Sequence, residues 1–210
     1  YTTPRWPSEP LFYASFTSKT DNSVAPKNHE NMFLLIPIAP DLEDNRIIRE
    51  RYFDLIISRL EKSFPDRFLF VLSFTQNDKD YIDGVSEQLG QKGFSSLKNR
   101  VFYFDGGIKG LRNYMAVLSN AALFVGPSTG TTHLANILGV KVVTIYSPIK
   151  VQTSLRWGPF FRDSKKVRVV VPDVVCGEKF QCAGSSCLYY ECMGKIEVDE
   201  VFESIQQLLG

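Results

Sequence analysis

Hydroxyl-bearing and small residues are concentrated in the stretch "GPSTGTTHLANILGVKVVTIYSP", residues 126–148. The hydroxyl residues and the glycine at its centre are Ser128, Thr129, Gly130, Thr131 and Thr132. An apolar run precedes this turn and a helical pattern follows it, so the turn is predicted to open a helix. The amides of Gly130, Thr131 and Thr132 are expected to be unpaired, and with the helix dipole they favour an anion, while the glycine lets the backbone approach a ligand closely. The pattern fits a diphosphate site, and it also fits an ordinary helix cap.

His133 falls in the first turn of the same predicted helix, and the other histidine of the chain is His29. From its position the His133 ring can bond a phosphate, orient the preceding loop or donate to a backbone carbonyl. No further ligand is spaced for a metal, so we predict no metal site here. The sequence contains neither a G-x-G-x-x-G after the first strand nor a G-x-x-x-x-G-K-[ST], which removes the main support for a dinucleotide or P-loop site.

Four further residues follow predicted strands at places where a ligand could be contacted. Lys109 opens the helix after the third strand, and it could supply positive charge or simply be a solvated helix start. Gln76 and Asp78 follow the second strand, where they could reach a ribose or cap the next helix. Arg156 stands beside Trp157 after the fifth strand. It could pair with a phosphate or an acidic acceptor, or it could be solvated on a loop that a buried Trp157 fixes.

Four cysteines lie close together near the carboxyl end: Cys176, Cys182, Cys187 and Cys192. Such clustering suggests a metal or disulfides, but no C-x-x-C pair is present and the spacing fits zinc ribbons poorly. We predict reduced thiols, with zinc or a disulfide as alternatives.

Short apolar runs alternate with amphipathic runs from Met32 onward, which is typical of alternating strands and helices. Strands are predicted at 32–38, 67–74, 100–104, 121–126, 141–146 and 167–171, and helices at about 48–64, 77–91, 109–119, 130–138 and 196–209. The strands are apolar at both odd and even positions, as expected when helices cover both faces of a parallel sheet. We therefore predict a doubly wound, mostly parallel, Rossmann-like α/β domain over residues 32–210, preceded by a linker or interdomain remnant over residues 1–31.

The 210 residues carry a formal net charge of +1. This near-neutral balance gives no reason to expect a nucleic acid or an anionic membrane as the main partner, although a local basic patch could exist. The apolar runs are too short for a bilayer span, and the amino end lacks the pattern of a secretory signal. We expect a cytoplasmic protein, with peripheral attachment at the inner face of the inner membrane as an option.

The run from "NRVFYFDGGIKG" through "GPSTGTTHLANILGVKVVTIYSP", then "LRWGPF" and the segment ending "CMGKIEVDEVFESIQQLL", resembles the carboxyl-terminal half of bacterial heptosyltransferases. These enzymes form glycosyltransferase family nine and have the GT-B fold. The resemblance covers about residues 32–210 and is strongest over 99–160. It rests on the strand followed by [D/S]-T-G-x-x-H-x-A, "LG-x-x-V-V" and a [Y/F]-x-P loop.

The resemblance implies one half of a GT-B fold that binds a nucleotide-sugar donor without a cofactor. Thr129, Gly130, Thr131 and His133 match the family's donor-site motif. The implied reaction is inverting transfer of a heptose-like sugar from an ADP-linked donor to lipopolysaccharide or another cell-surface glycan. The catalytic base would lie in an amino-terminal half, so this chain alone is expected to be an inactive fragment with no catalytic residue of its own.

Two departures from the family pattern keep other functions open. Heptosyltransferases commonly have Asp where this chain has Ser128, and the loop after the first strand, "IPIAPDLEDN", is acidic rather than phosphate-binding. These differences put the donor sugar in doubt and support a non-catalytic nucleotide-binding or interaction module. An epimerase-like domain acting on nucleotide sugars is the third possibility.

Overall fold

The computed structural model describes the backbone of residues 32–37 and, with side chains, residues 56–65, 67–75, 100–174, 176 and 192–210. The predicted linker over 1–31, the predicted helix over 77–91 and the beginning of the helix predicted from 48 lie outside these residues. The division into a linker and one domain therefore stays a prediction.

Six strands form a parallel sheet within the described part of the chain. They are β1 Met32–Pro37, β2 Phe68–Phe74, β3 Val101–Asp105, β4 Leu123–Pro127, β5 Lys141–Ile145 and β6 Val167–Val170. Their order in the sheet is β3-β2-β1-β4-β5-β6, and every neighbouring pair is parallel. This order reverses direction between β1 and β4, which is where doubly wound sheets bind ligands, outside the carboxyl ends of the strands. The predicted fold class and the six predicted strands are confirmed.

Five α-helices accompany the strands in the described residues: α1 Ser58–Ser63, α2 Gly106–Ser119, α3 Gly130–Ile137, α4 Ser154–Trp157 and α5 Val198–Leu209. The helices predicted over 109–119, 130–138 and 196–209 are confirmed to within three residues. The sequence pattern did not predict the single turn of α4. Among the described helices, none has both the length and the hydropathy that crossing a membrane demands.

Helix α2 begins earlier than predicted because Asp105 caps it. The Asp105 carboxylate accepts a hydrogen bond of 2.9 Å from the Ile108 amide. The helix is then interrupted at Gly110, whose φ of 77° and ψ of 163° are open to glycine and strained for other residues. Lys109 thus lies in a separate first turn, and the regular part of α2 follows the interruption.

The apolar side chains of the sheet form a core on each face. On one face, Phe70, Leu72, Leu123, Val125 and Val143 pack in a cluster with residues of α1 and α5. On the other face, Val71, Phe124 and Val142 pack with residues of α2 and α3. Residues adjacent in a strand point to opposite faces, so the apolar run at both parities is explained by helices on both sides. The second cluster fixes α2 and α3 on one face of the sheet, and the first fixes α1 and α5 on the other.

Candidate functional site

The predicted anion-binding turn lies at the carboxyl edge of the sheet, where β4 ends and α3 begins. The Ser128 amide bonds the Ile145 carbonyl at 3.1 Å, which extends the β4–β5 pairing by one residue. Thr129 is the residue before the helix, and its φ of −136° and ψ of 169° are extended. The helix begins directly after this extended residue, and the amides of its first turn have no acceptor within the helix.

Thr132 has a different place from the one predicted. Its side chain is buried, its hydroxyl donates to the Pro127 carbonyl at 2.5 Å, and its amide bonds the Thr129 carbonyl at 3.1 Å. The expectation of a free amide and an available hydroxyl is therefore wrong for this residue. Thr132 holds the turn in shape, because a buried hydroxyl must find an acceptor within the fold.

The other predicted residues of the turn are accessible. Gly130 is exposed, and a Cβ atom at this position would meet nothing within 4 Å. Ser128, Thr129 and Thr131 are half-buried, and the Thr129 and Thr131 hydroxyl oxygens are 2.8 Å apart. The amides of Gly130 and Thr131 have no acceptor within α3, because they belong to its first turn.

The open end of α3 contrasts with the capped end of α2. Thr129 makes no side-chain bond to the first amides of α3, whereas Asp105 bonds the Ile108 amide of α2. Asp105 also puts a negative charge at the beginning of α2, which opposes binding of a second anion there. Of the two helix ends at this edge, α3 is therefore the one suited to hold an anion. Lys109 is half-buried in the first turn of α2.

His133 is half-buried in the first turn of α3. Within the part of the chain that the structure describes, no hydrogen bond of its ring to a backbone carbonyl is found. The alternative that His133 is simply satisfied by a backbone carbonyl finds no support in this part of the chain.

Tyr114 is a residue of this region that the sequence did not indicate. It lies in α2 and is buried, and within the described residues its hydroxyl has no hydrogen-bond partner. The hydroxyls of Ser73, at the end of β2, and of Thr131 lie close to it. Burial raises the pKa of Tyr114 above the ordinary value, and these two hydroxyls offset only part of the rise. The phenol therefore stays neutral and lies close to the first turn of α3.

Tyr146 fixes the neighbouring loop after β5. It is fully buried, and its hydroxyl donates to the Trp157 carbonyl at 2.7 Å. Burial raises the pKa of Tyr146, while the hydroxyl of Ser128 beside it acts in the opposite direction. Tyr146 thus links the α3 turn, through Ser128, to the loop that carries Trp157.

Arg156 is exposed, and its guanidinium carbon lies 5.5 Å from the centre of the Trp157 ring. Trp157 is itself half exposed, and its ring nitrogen donates to the Val151 carbonyl at 2.8 Å. The alternative of a loop fixed by a buried tryptophan is therefore wrong, because Trp157 is not buried. The described contacts do not bring Arg156 to the α3 turn.

Several predicted residues lie outside the described part of the chain. Gln76 and Asp78 are among them, and so are Cys182 and Cys187. Cys176 is a free, half-buried cysteine, and Cys192 is buried. Within the described ranges, no group of three or more histidine, cysteine or acidic side chains is arranged to hold a metal ion. The oxidation state predicted for the whole cysteine cluster stays a prediction.

Comparison with known proteins finds similarity over part of the chain. Residues 107–182 match the family model "Glycosyltransferase family 9 (heptosyltransferase)". This range includes the whole of α3 and the turn before it. A carotenoid 3,4-desaturase of Haloarcula japonica is 38% identical over 79 residues, which make up 36% of this chain and 16% of that protein. The resemblance to family 9 glycosyltransferases indicated by the sequence is confirmed over residues 107–182.

Solved structures of heptosyltransferases share the fold. The ADP-heptose LPS heptosyltransferase II of E. coli aligns at 15% identity with a TM-score of 0.62, over 87% of this chain and 47% of that one. The E. coli heptosyltransferase WaaC with ADP aligns at 16% identity with a TM-score of 0.60, over 85% of this chain and 45% of that one. The chain thus has the Rossmann-like architecture of GT-B glycosyltransferases and spans about half the length of these structures.

Proposed function

We propose that this chain is the donor-binding half of a heptosyltransferase-like glycosyltransferase, and that it holds the diphosphate of a nucleotide sugar at the beginning of α3. The observation that carries the proposal is the uncapped helix end at Gly130, at the sheet edge where the strand order reverses. The family match over residues 107–182 includes this helix end.

The backbone supplies the main attraction for the diphosphate. The amides of Gly130 and Thr131 point away from α3, and the helix dipole adds partial positive charge at the same place. Charge-assisted hydrogen bonds of this kind contribute about 1.5–3 kcal/mol each when water is excluded. Since the space above Gly130 is open, a phosphate oxygen can reach these amides without displacing a side chain of the described fold.

The side chains around the turn would supply the remaining contacts with the phosphates and the donor sugar. The Thr129 and Thr131 hydroxyls, 2.8 Å apart, can donate to phosphate oxygens from one side, and His133 can do so from the first turn of the helix. Ser128 stands where many family members have an acidic residue. A hydroxyl there would contact the donor sugar without the negative charge of a carboxylate. Its hydrogen bonds to the hydroxyls of a heptose-like sugar would therefore be weaker than those of an acidic residue.

In the proposed reaction, the donor is an ADP-linked sugar and the acceptor is a hydroxyl of lipopolysaccharide or another cell-surface glycan. The sugar transfers with inversion, the acceptor oxygen forms the new bond to the anomeric carbon, and the nucleoside diphosphate leaves. The helix end stabilises the charge that develops on the leaving diphosphate. The base that accepts the acceptor proton belongs to an amino-terminal half, which is consistent with the chain's coverage of about half of the heptosyltransferase structures.

Calorimetric titration with ADP, AMP and adenosine tests the proposal. We expect ADP to bind more tightly than AMP, and adenosine to bind weakest, because each phosphate removed deletes contacts with the helix end. UDP and GDP, titrated alongside, report the preference for the base. Equal affinity for ADP and adenosine would contradict the diphosphate site, and absence of heat with every nucleotide would favour the interaction-module alternative.

A further inference from the structure

A buried phenol without a hydrogen-bond partner lies next to the proposed diphosphate site. Tyr114 of α2 is only 5% exposed, and within the described residues its hydroxyl makes no hydrogen bond. Most buried hydroxyls in folded proteins are paired, because an unpaired one lowers stability. The hydroxyls of Ser73, at the end of β2, and of Thr131, in the first turn of α3, lie close to the phenol. The described fold thus leaves the phenol unpaired beside two hydroxyls that could pair with it.

Packing holds the Tyr114 ring in place. The ring lies against that of Phe104, with centres 6.0 Å apart, and it belongs to the core cluster on the face of the sheet that α2 and α3 cover. A Cβ atom on Gly106 would lie 3.4 Å from the Cδ2 atom of Tyr114, so the ring fills the space that this glycine leaves. Because the ring is packed on these sides, its hydroxyl is held close to Thr131.

The threonine hydroxyls of the α3 turn would need another donor when an anion binds. The Thr129 and Thr131 hydroxyl oxygens are 2.8 Å apart, and one of the two hydroxyls donates to the other. Phosphate oxygens only accept hydrogen bonds, so both threonine hydroxyls would turn their protons toward a bound diphosphate. The Thr131 oxygen would then have free lone pairs and receive no proton from Thr129.

We propose that Tyr114 is a positioning residue of the diphosphate site, and that its hydroxyl donates to the Thr131 oxygen when a diphosphate is bound. The proposal rests on the function proposed above, because it requires an anion at the beginning of α3. Hydrogen bonds would then run in one direction, from Tyr114 to Thr131 and from Thr131 to a phosphate oxygen. Each bond in such a chain polarises the next, which strengthens the contact with the anion. Burial raises the pKa of Tyr114, so the phenol keeps the proton that it donates.

The phenol contributes to recognition of the phosphate groups and not of the nucleoside. Tyr114 acts through Thr131, so its effect requires an anion that accepts a hydrogen bond from the Thr131 hydroxyl. Inorganic pyrophosphate should therefore report the effect of Tyr114 as ADP does, whereas adenosine should not. Loss of one hydrogen bond between neutral groups corresponds to about a 2- to 13-fold increase in Kd.

Calorimetric titration of the full chain with inorganic pyrophosphate and with ADP tests the proposal. Tyr114→Phe keeps the ring and removes the hydroxyl, so we expect the Kd for both ligands to rise by about 2- to 13-fold while the free energy of unfolding does not fall. Tyr103→Phe is the matched control, because Tyr103 lies on β3 and packs against the core on the other face of the sheet. This control should leave both Kd values unchanged.

A double-mutant cycle shows whether the phenol acts through the Thr131 hydroxyl. Thr131→Val removes the group that would accept the phenol's proton, so adding Tyr114→Phe in that background should raise the Kd for pyrophosphate no further. Thr131→Ser keeps a hydroxyl at this position, so Tyr114→Phe should still weaken binding there. Additive effects of Tyr114→Phe and Thr131→Val would overturn the proposed link between the two residues.

The remaining outcomes separate this proposal from the proposed function. If the unmodified chain binds ADP and Tyr114→Phe binds it equally well, the positioning role is refuted and the nucleotide site stays supported. A loss of stability in Tyr114→Phe with unchanged Kd values would assign the phenol to a partner within the free protein, such as Ser73, and would also refute the role. Binding of pyrophosphate without binding of ADP, weakened by Tyr114→Phe, would support the role and contradict the nucleotide site. Absence of binding of both ligands would refute both proposals.

Discussion

Replacing Gly130 with alanine tests close approach of a phosphate to the backbone while leaving the fold intact. A Cβ atom at Gly130 meets nothing within 4 Å, and the residue lies in the first turn of α3, where alanine is a favourable helix residue. The free energy of unfolding should therefore stay the same or rise by up to about 1 kcal/mol, because alanine has less conformational freedom than glycine in the unfolded chain.

The effect on ligand binding should have the opposite sign. We expect the added methyl group to meet a phosphate bound at the Gly130 and Thr131 amides, so that a phosphate oxygen withdraws from at least one of them. Loss of one charge-assisted hydrogen bond costs about 1.5–3 kcal/mol, which corresponds to about a 10- to 160-fold increase in the Kd for ADP. Adenosine, which has no phosphate, should bind with an unchanged Kd.

Calorimetry with ADP and adenosine, together with urea denaturation, measures both effects. Ile137→Ala is a suitable control, because Ile137 is exposed at the opposite end of α3 and should leave both Kd values unchanged. A Gly130→Ala variant that is as stable as the unmodified chain and binds ADP equally well would refute the close approach. A large loss of stability would instead show that the space above Gly130 is not open.

Three other changes test the roles of buried hydroxyls. Tyr114→Phe removes a buried hydroxyl that has no hydrogen-bond partner within the described residues, so the free energy of unfolding in urea should stay the same or rise by up to about 2 kcal/mol, and a fall would contradict this. Thr132→Val removes the bond to Pro127 and should lower the free energy of unfolding by about 1–3 kcal/mol; an unchanged urea midpoint would contradict its structural role. Burial raises the pKa of both Tyr114 and Tyr146, so these phenols lose their protons at a lower pH in the unfolded chain than in the folded one. The free energy of unfolding should therefore fall as the pH rises above about 10, by at most about 1.4 kcal/mol per pH unit for each tyrosine. Phenylalanine at either position should make this alkaline loss less steep, as thermal unfolding across the pH range would reveal.

The sheet could be predicted from the sequence because each strand has a local pattern of apolar residues. Strands such as β2, Phe68–Phe74, are apolar at both parities, and only a sheet covered on both faces explains that pattern. The turn from Ser128 to Gly130 was also predictable, since small and hydroxyl residues between an apolar strand and an amphipathic helix are a local signal. The strand order agrees with the doubly wound class, but its register rests on long-range pairing that no local pattern contains.

The parts that the sequence did not predict depend on how the elements and turns are arranged in three dimensions. Tyr114 lies close to Ser73 and Thr131 because α2 and α3 pack on the same face of the sheet. Thr132 looks the same as Thr131 in the sequence, yet it faces inward to Pro127 because of the sharp turn into α3. Trp157 would be expected inside on hydrophobicity alone, whereas the bonds from Tyr146 and to Val151 hold it half exposed.

Amide NMR of the labelled chain during titration with ADP examines the nucleotide site most directly. If the diphosphate binds at the uncapped end of α3, the largest shifts should belong to the Gly130 and Thr131 amides, while the Thr132 amide, bonded to Thr129, should respond less. Shifts of the same size should not appear with adenosine. Saturable ADP binding that leaves the Gly130 and Thr131 amides unmoved, with the largest shifts elsewhere in the sheet, would contradict the account.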